Sequence, residues 1–206
     1  MNKPPHFEPE DEFFIQSLQS KLPTTFGDFY ISAFGFKNDD SHLFLEYGEN
    51  PGSLPPLVRI HSECVTSEVF GSLKCDCRDQ LYESIEIIKK AGHGIIIYLR
   101  QEGRGIGLFN KINAYKLQED GLDTVEANHK LNFETDLRNY YVAYTILHKK
   151  QINTIRLITN NNDKVIQLKK YGLIIAEVIN TKPHLNLNNQ HYIETKIKKL
   201  GHKYNL

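Results

Sequence analysis

Cys64, Cys75 and Cys77 are the three cysteines of this 206-residue chain, and all fall in one run, VRIHSECVTSEVFGSLKCDCRDQL. An odd, clustered set does not suit a disulfide framework, which needs an even number of thiols spread along the chain. Cys75-Asp76-Cys77 is polar at its centre, unlike a core strand, and lacks the C-x-x-C spacing of a redox pair. Three close thiols suit a zinc ion whose fourth tetrahedral position is open to water or substrate, the arrangement of a catalytic site. A closed structural site completed by His61 or His93 is the alternative reading of the same spacing.

A second constellation is RQEGRGIG, residues 100–107. Gly103, Gly105 and Gly107 let backbone N–H groups approach an anion, and Arg100 and Arg104 offer bidentate contacts to phosphate oxygens. The pattern is not a P-loop, and a tight strand–helix connection with solvated arginines is the plainer alternative. Arg59, His61 and Glu63 alternate along the run ending in Cys64, so they share one strand face, which must then line a polar site. Asp136 and Arg138 fall at the expected start of an amphipathic helix, where an Asp is ordinarily a cap. Thr159 and Lys164 bracket NNNDK, either a turn with a surface lysine or a set of anion donors.

The elements that must position these groups alternate between strand and helix patterns. FGDFYISAFGF, LFLEYG and LVRIHSEC read as strands, with a turn at NDDSH (38–42). QLYESIEIIKKAG reads as a helix stopped at Gly92. GIIIYL (94–99) is a continuous apolar run suited to a strand buried on both faces, and it leads through the glycine-rich turn into the helical NKINAYKLQEDG. Leu137, Tyr140, Tyr144 and Leu147 recur at helical spacing, followed by strand TIRLIT, helix NNDKVIQLKKYG, strand LIIAEVI and a short polar helix in the final nineteen residues. An α/β fold follows: a single domain with a mixed β-sheet flanked by helices.

Residues 1–20, acidic and proline-containing, read as an N-terminal extension, leaving 21–206 as the catalytic domain. Lys+Arg and Asp+Glu number 25 each, so no global field favours nucleic acid or anionic membrane, and any anion must be held by a local cluster. No apolar run approaches membrane-spanning length, and the polar start MNKPPHFEPEDEFF lacks a signal-peptide core. A cytoplasmic protein with reduced thiols is the expectation.

Taken together, KLPTTFGDF, RIHSEC, SLKCDCRDQL, LRQEGRGIGLFNKINAYKLQ, DTVEANHKL, DLR, RLITNN and NQHYIETKIKKLGH resemble the GTP cyclohydrolase II family, in order, from about Lys21 to His202. The resemblance implies a zinc-dependent hydrolase that opens the imidazole ring of GTP, releasing formate from C8 and pyrophosphate. The product would be a diamino-phosphoribosylaminopyrimidinone, the first step of riboflavin biosynthesis. It implies one zinc per subunit on Cys64, Cys75 and Cys77, magnesium with the triphosphate, and a homodimer with neither nucleic-acid nor membrane partner. GTP contacts would come from Arg59, Ile60, His61, Ser62, Glu63, Gln80, Glu102, Gly103, Arg104, Thr124, Thr159 and Lys164. Asp136 is the implied proton acceptor, Arg138 the implied nucleophile towards the α-phosphate, and Tyr115 an active-site tyrosine near the base.

Three thiolates on a dication leave a formal net −1, so a nearby base must help: Asp136 first, with Glu63 or His61 behind it. A guanidinium has no free lone pair, so clamping the α-phosphate is the plainer role for Arg138. Gln80 and Glu102 suit guanine's amide edge and exocyclic amine. The family includes two-domain proteins fused to a dihydroxybutanone phosphate synthase, and at this length only the cyclohydrolase unit is expected. The chain departs from the usual pattern at Ser67-Glu68, where Gly-Asp or Ala-Asp is more usual, and at Arg78 and Asn132, where glycine is common. A nucleobase deaminase, the nearest enzymatic rival, would need P-C-x-x-C after His61-Ser62-Glu63, and Cys75-Asp76-Cys77 breaks it.

Overall fold

Strands β5 (Leu57–Ser62) and β6 (Gly94–Leu99) form the parallel centre of one mixed sheet, and both point their carboxyl ends at the thiol and glycine-rich loops. The computed structural model describes residues 14–36, 41–202 and 204, so most of the turn expected at 38–42 lies outside the described residues, as do residues 1–13. The remaining strands are β1 (Phe14–Gln16), β2 (Ser20–Thr24), β3 (Gly27–Phe36), β4 (His42–Tyr47), β7 (Thr154–Ile158) and β8 (Ile174–Ile179). Their order is β1-β3-β4-β6-β5-β7-β8, with β2 also paired to β3. The β1–β4 side is antiparallel up to the β4–β6 pairing, whereas β6, β5, β7 and β8 run parallel.

The period of two divides the central strands between two cores. Val58 and Ile60 of β5 and Ile95 and Ile97 of β6 face one way, against Ile146 and Leu147 of α5 (Tyr141–Lys149) and Leu168 of α6 (Asn162–Lys170). Leu57 and Ile96 face the other way, against Ile85 and Ile88 of α2 (Cys77–Ala91). Arg59 and His61 share this second face, beyond the apolar patch, and there the sheet stops being core and becomes a site. Burial on both faces explains why GIIIYL reads as an unbroken apolar run.

Helix α2 ends at Gly92, whose φ of 79° is the left-handed turn glycine supplies. Among the described residues the further α-helices are α1 (Val65–Glu68), α3 (Gly107–Glu119), α4 (Thr124–Lys130) and α7 (Gln190–Leu200), with a single 3-10 turn at Glu102–Gly105. The helix carrying Tyr144 starts at Tyr141 and not near Asp136; Leu137 is 44% exposed in an extended stretch, its N–H donating to the Arg104 carbonyl. Asp136 is therefore no helix cap. Strand β1 is only three residues long and β2 is polar and mostly exposed, so neither has a pattern to announce it. Residues 14–16 pair with β3 in register Phe14↔Phe36, inside the stretch expected as an extension.

Candidate active site

The cleft lies at the carboxyl ends of β5, β6 and β7, where open α/β sheets place their ligands. At its first wall Cys64 follows β5 directly, and Cys75 and Cys77 arrive through the turn before α2. The three Sγ atoms lie within 4.8 Å of one another, Cys64 to Cys75 at 3.6 Å. Zinc–thiolate bonds of about 2.3 Å at tetrahedral angles set sulfurs about 3.8 Å apart, so the donor set fits zinc. Disulfide bonding does not fit, because all three are free thiols.

Neither histidine completes the set. His61 Nε2 is 2.7 Å from Glu68 Oε1 and its Nδ1 is 3.4 Å from Arg59 Nη2, so both ring nitrogens are engaged. His93 sits before the opposite end of β6, 3.6 Å from Glu46. Burial holds the His61 imidazole neutral despite Glu68, with Arg59 adding to the effect. Among the described residues, three thiols are what the chain offers a metal here, and the fourth position stays open.

Lys111 of α3 places its Nζ 3.1 Å from Cys64 Sγ and 2.7 Å from Glu102 Oε1. Hydrogen bonds from the Cys75 and Cys77 thiols favour the Cys64 thiolate strongly, and the Lys111 ammonium adds to them against burial. Glu102 also accepts from the N–H groups of Val65 (2.7 Å) and Gly103 (2.8 Å), so one carboxylate ties α1, the glycine-rich turn and α3 together. Tyr115, one helical turn beyond Lys111, points its hydroxyl at Thr66 Oγ1, 3.1 Å away.

The second wall is cationic. Arg104 takes φ +62°, rare for a side-chain-bearing residue, and its buried Nη1 has no hydrogen-bond partner among the described residues, with Asp136 at 3.9 Å. Gly105 at φ +90° lets the loop pass against Leu137, where a Cβ would meet Leu137 atoms at 3.0–3.2 Å. Arg138 reaches both oxygens of Asp136, its Nε at 2.9 and 3.2 Å. Burial alone would raise the Asp136 carboxyl, but Arg138 and Arg104 hold it below the usual carboxylate range. Burial works against the Arg138 charge, but the Asp136 carboxylate bonded to it favours it, so the guanidinium stays charged, which suits a clamp and not a nucleophile.

Lys164, 4% exposed, donates to the Ile60 carbonyl at 2.5 Å, and among the described residues no carboxylate is hydrogen-bonded to it. Burial pushes its pKa well down, reinforced by Arg59 and Arg138, a strain that an anion would relieve. Thr159 and Gln80 are buried beside it, Gln80 linking Arg59 (3.1 Å) to Asp76 (2.6 Å). Ser62 accepts from Gln101, Glu63 pairs with Arg100, and Thr124 opens α4 beside Gln118.

The cleft thus gathers nearly all the expected site residues, the three thiols among them. Ile60 and Asp136 do not line it: Ile60 lies on the core face and contributes its carbonyl, while Asp136 stands behind Arg138. The lining also includes Lys74, Lys111, Tyr192, Lys196 and His202, which the residue patterns had not singled out. The departures from the usual pattern find physical reasons. Glu68 accepts from His61 and from the Cys64 N–H at 3.0 Å, touching a metal-site residue directly. Arg78 stands in the first turn of α2, where no glycine freedom is needed, and its N–H donates to Ser67 Oγ at 3.2 Å. Asn132 takes φ +62°, the conformation glycine would otherwise supply.

An α/β protein with an open tri-thiol site facing a cationic cleft is the class that fold and geometry define. The GTP cyclohydrolase II family model matches residues 15–180, and the chain belongs to that family. The riboflavin biosynthesis protein RibBA of Bacillus cytotoxicus is 45% identical over 199 residues, covering 95% of this chain and 50% of that protein. RibBA of Chlorobium phaeovibrioides is 44% identical over 188 residues, covering 91% and 46%. This chain therefore spans about half the length of the curated relatives it matches. A two-domain 3,4-dihydroxy-2-butanone 4-phosphate synthase from A. baumannii aligns structurally at TM-score 0.43 and 15% identity, over 84% of this chain and 41% of that one, too slight a likeness to argue from.

Proposed function

We propose that this chain is a zinc-dependent hydrolase that opens the imidazole ring of GTP, releasing formate and pyrophosphate and leaving a diamino-phosphoribosylaminopyrimidinone. The observation that carries this reading is that one cleft is lined by an open tri-thiol site and by Arg104, whose buried Nη1 has no hydrogen-bond partner among the described residues. Zinc held by Cys64, Cys75 and Cys77 would supply a Lewis acid and an acidified water. Magnesium accompanies the triphosphate.

The chain's own residues divide the work. Arg59, Arg104, Arg138 and Lys164 line the cleft and bind the phosphates, with Thr159 supplying a shorter donor and Gly103 letting the backbone approach closely. Arg138, charged and held by Asp136, clamps the α-phosphate. Asp136 takes a proton when phosphate draws Arg138 away, because the loss of that partner raises its pKa. Glu63, next to Cys64 in the chain, is a further acceptor, and neutral His61 becomes one at Nδ1 when phosphate draws Arg59 away. Ser62, Gln80, Glu102, Thr124 and Tyr115 shape the base end, Tyr115 between the Lys74 and Lys111 ammonium groups at 5.0 and 5.6 Å from its ring, while Ile60 contributes through the carbonyl that holds Lys164.

Residues 1–20 are proposed as the extension and 21–206 as the catalytic domain, in a cytoplasmic homodimer that binds neither nucleic acid nor membrane. Among the described residues no helix is long and apolar enough to cross a membrane. Reduced, zinc-loaded protein incubated with GTP and magnesium should yield both formate and pyrophosphate, and both should disappear on chelation and in Cys75→Ser. Neither product from folded, zinc-bound protein would refute the proposal.

A further inference from the structure

Asp76 occupies the N-cap position of α2, between two of the thiols, yet its side chain caps nothing. It turns inward instead, fully buried, and meets Lys196 Nζ at 2.6 Å and Gln80 Nε2 at 2.6 Å. Lys196 comes from α7, 120 residues along the chain and beyond the segment that the family model matches. Lys196 is itself 5% exposed, with its ammonium 4.8 Å from the Tyr192 ring centre. An aspartate that forgoes a helix cap for a buried ion pair is there to fix something other than the helix. What it fixes is the turn that delivers Cys75 and Cys77. The connection continues through Gln80 to Arg59, His61 and Glu68, and Glu68 accepts from the Cys64 N–H, so both arms of the thiol site hang on one buried chain of hydrogen bonds.

We propose that Lys196 is a positioning residue for the metal site, holding the Cys75–Cys77 turn in its ligating shape through Asp76. The inference rests on the thiols being a zinc site. Groups that orient ligands from behind commonly change metal affinity 10- to 100-fold.

The test is zinc affinity by competition with a chromogenic chelator, and the thiolate-to-metal charge-transfer band of the cobalt(II)-loaded protein. Both readouts are independent of GTP. Lys196→Met, which keeps the aliphatic stem but strands a buried carboxylate, should weaken zinc about 10- to 100-fold and shift the cobalt band. Asp76→Asn with Lys196→Met removes both charges and should recover zinc affinity to within about threefold of the parent, a rescue that loss of helix docking would not give. Wild-type affinity in Lys196→Met, or a double variant as weak as the single, overturns the inference alone. Parent protein that holds no zinc through its thiols overturns the metal reading and the inference together.

Discussion

Glu102→Gln tests whether the glycine-rich turn is braced by a carboxylate. Glu102 is 8% exposed, and its two oxygens serve three donors: Oε1 takes Gly103 N–H and Lys111, and Oε2 takes Val65 N–H. An amide has one acceptor oxygen. With that oxygen in the Oε1 position, the amide N–H₂ confronts Val65 N–H; in the Oε2 position it confronts both other donors. The better orientation still strands one buried N–H, which costs about 1–3 kcal/mol, and turns the charged contact with Lys111 into a weaker one. A net loss of about 2–4 kcal/mol is expected. For a chain of this length that lowers Tm by roughly 5–15 °C, measured by circular dichroism on zinc-free protein. A fall below about 2 °C would refute the brace. If GTP affinity then dropped while ITP affinity held, Glu102 would be reading the exocyclic amine of guanine instead.

Gly105→Ala should destabilise by about 1–3 kcal/mol more than Gly107→Ala in urea titrations, because both hold left-handed φ but a Cβ at 105 also meets Leu137. Arg138→Ala should lower pyrophosphate release at least about 100-fold, and mass spectrometry of the parent should find no nucleotide attached to Arg138; a trapped adduct would restore the nucleophile. His202, pushed down to about 2 by burial and then by Lys196 and Arg104, is neutral in the folded protein and titrates near 6.5 when unfolded. The unfolded chain binds the extra proton, so stability is present above pH 6.5 and declines as pH falls towards 2. His202→Gln should flatten the fall in urea midpoint between pH 6.5 and pH 4.

The legible parts of this fold are those whose pattern is local. GIIIYL reads as β6 without error because both faces are buried, and Gly92 marks the end of α2 because the cap needs a left-handed residue. Strand β2 is hidden by its exposure and by Pro23, which an outer strand tolerates. The four-residue period through Tyr140 and Tyr144 suggests too early a helix, because Tyr140 is buried by tertiary contact before the helix begins. The site divides the same way. Thiols and glycines cluster in sequence and announce themselves, and Lys111 and Tyr115 share a helix face at a spacing of four. Lys196 has no such signal, since its meaning lies in a carboxylate 120 residues away. Helix α4 is short, and its Asp123/Glu126 capping box is its clearest mark.

The strand order carries a consequence for the folding route. β3 and β4 are sequential antiparallel neighbours and can pair as soon as both exist, whereas β5, which leads to Cys64, skips β4 and pairs with β6 and β7, both later in the chain. Local hairpins form early, and parallel pairings across long connections form late. The ligating strand is thus among the last to find its place. Until then the three thiols stand open to oxidants and to stray metal ions, and a refolding experiment should gain its yield from reductant before it gains anything from zinc.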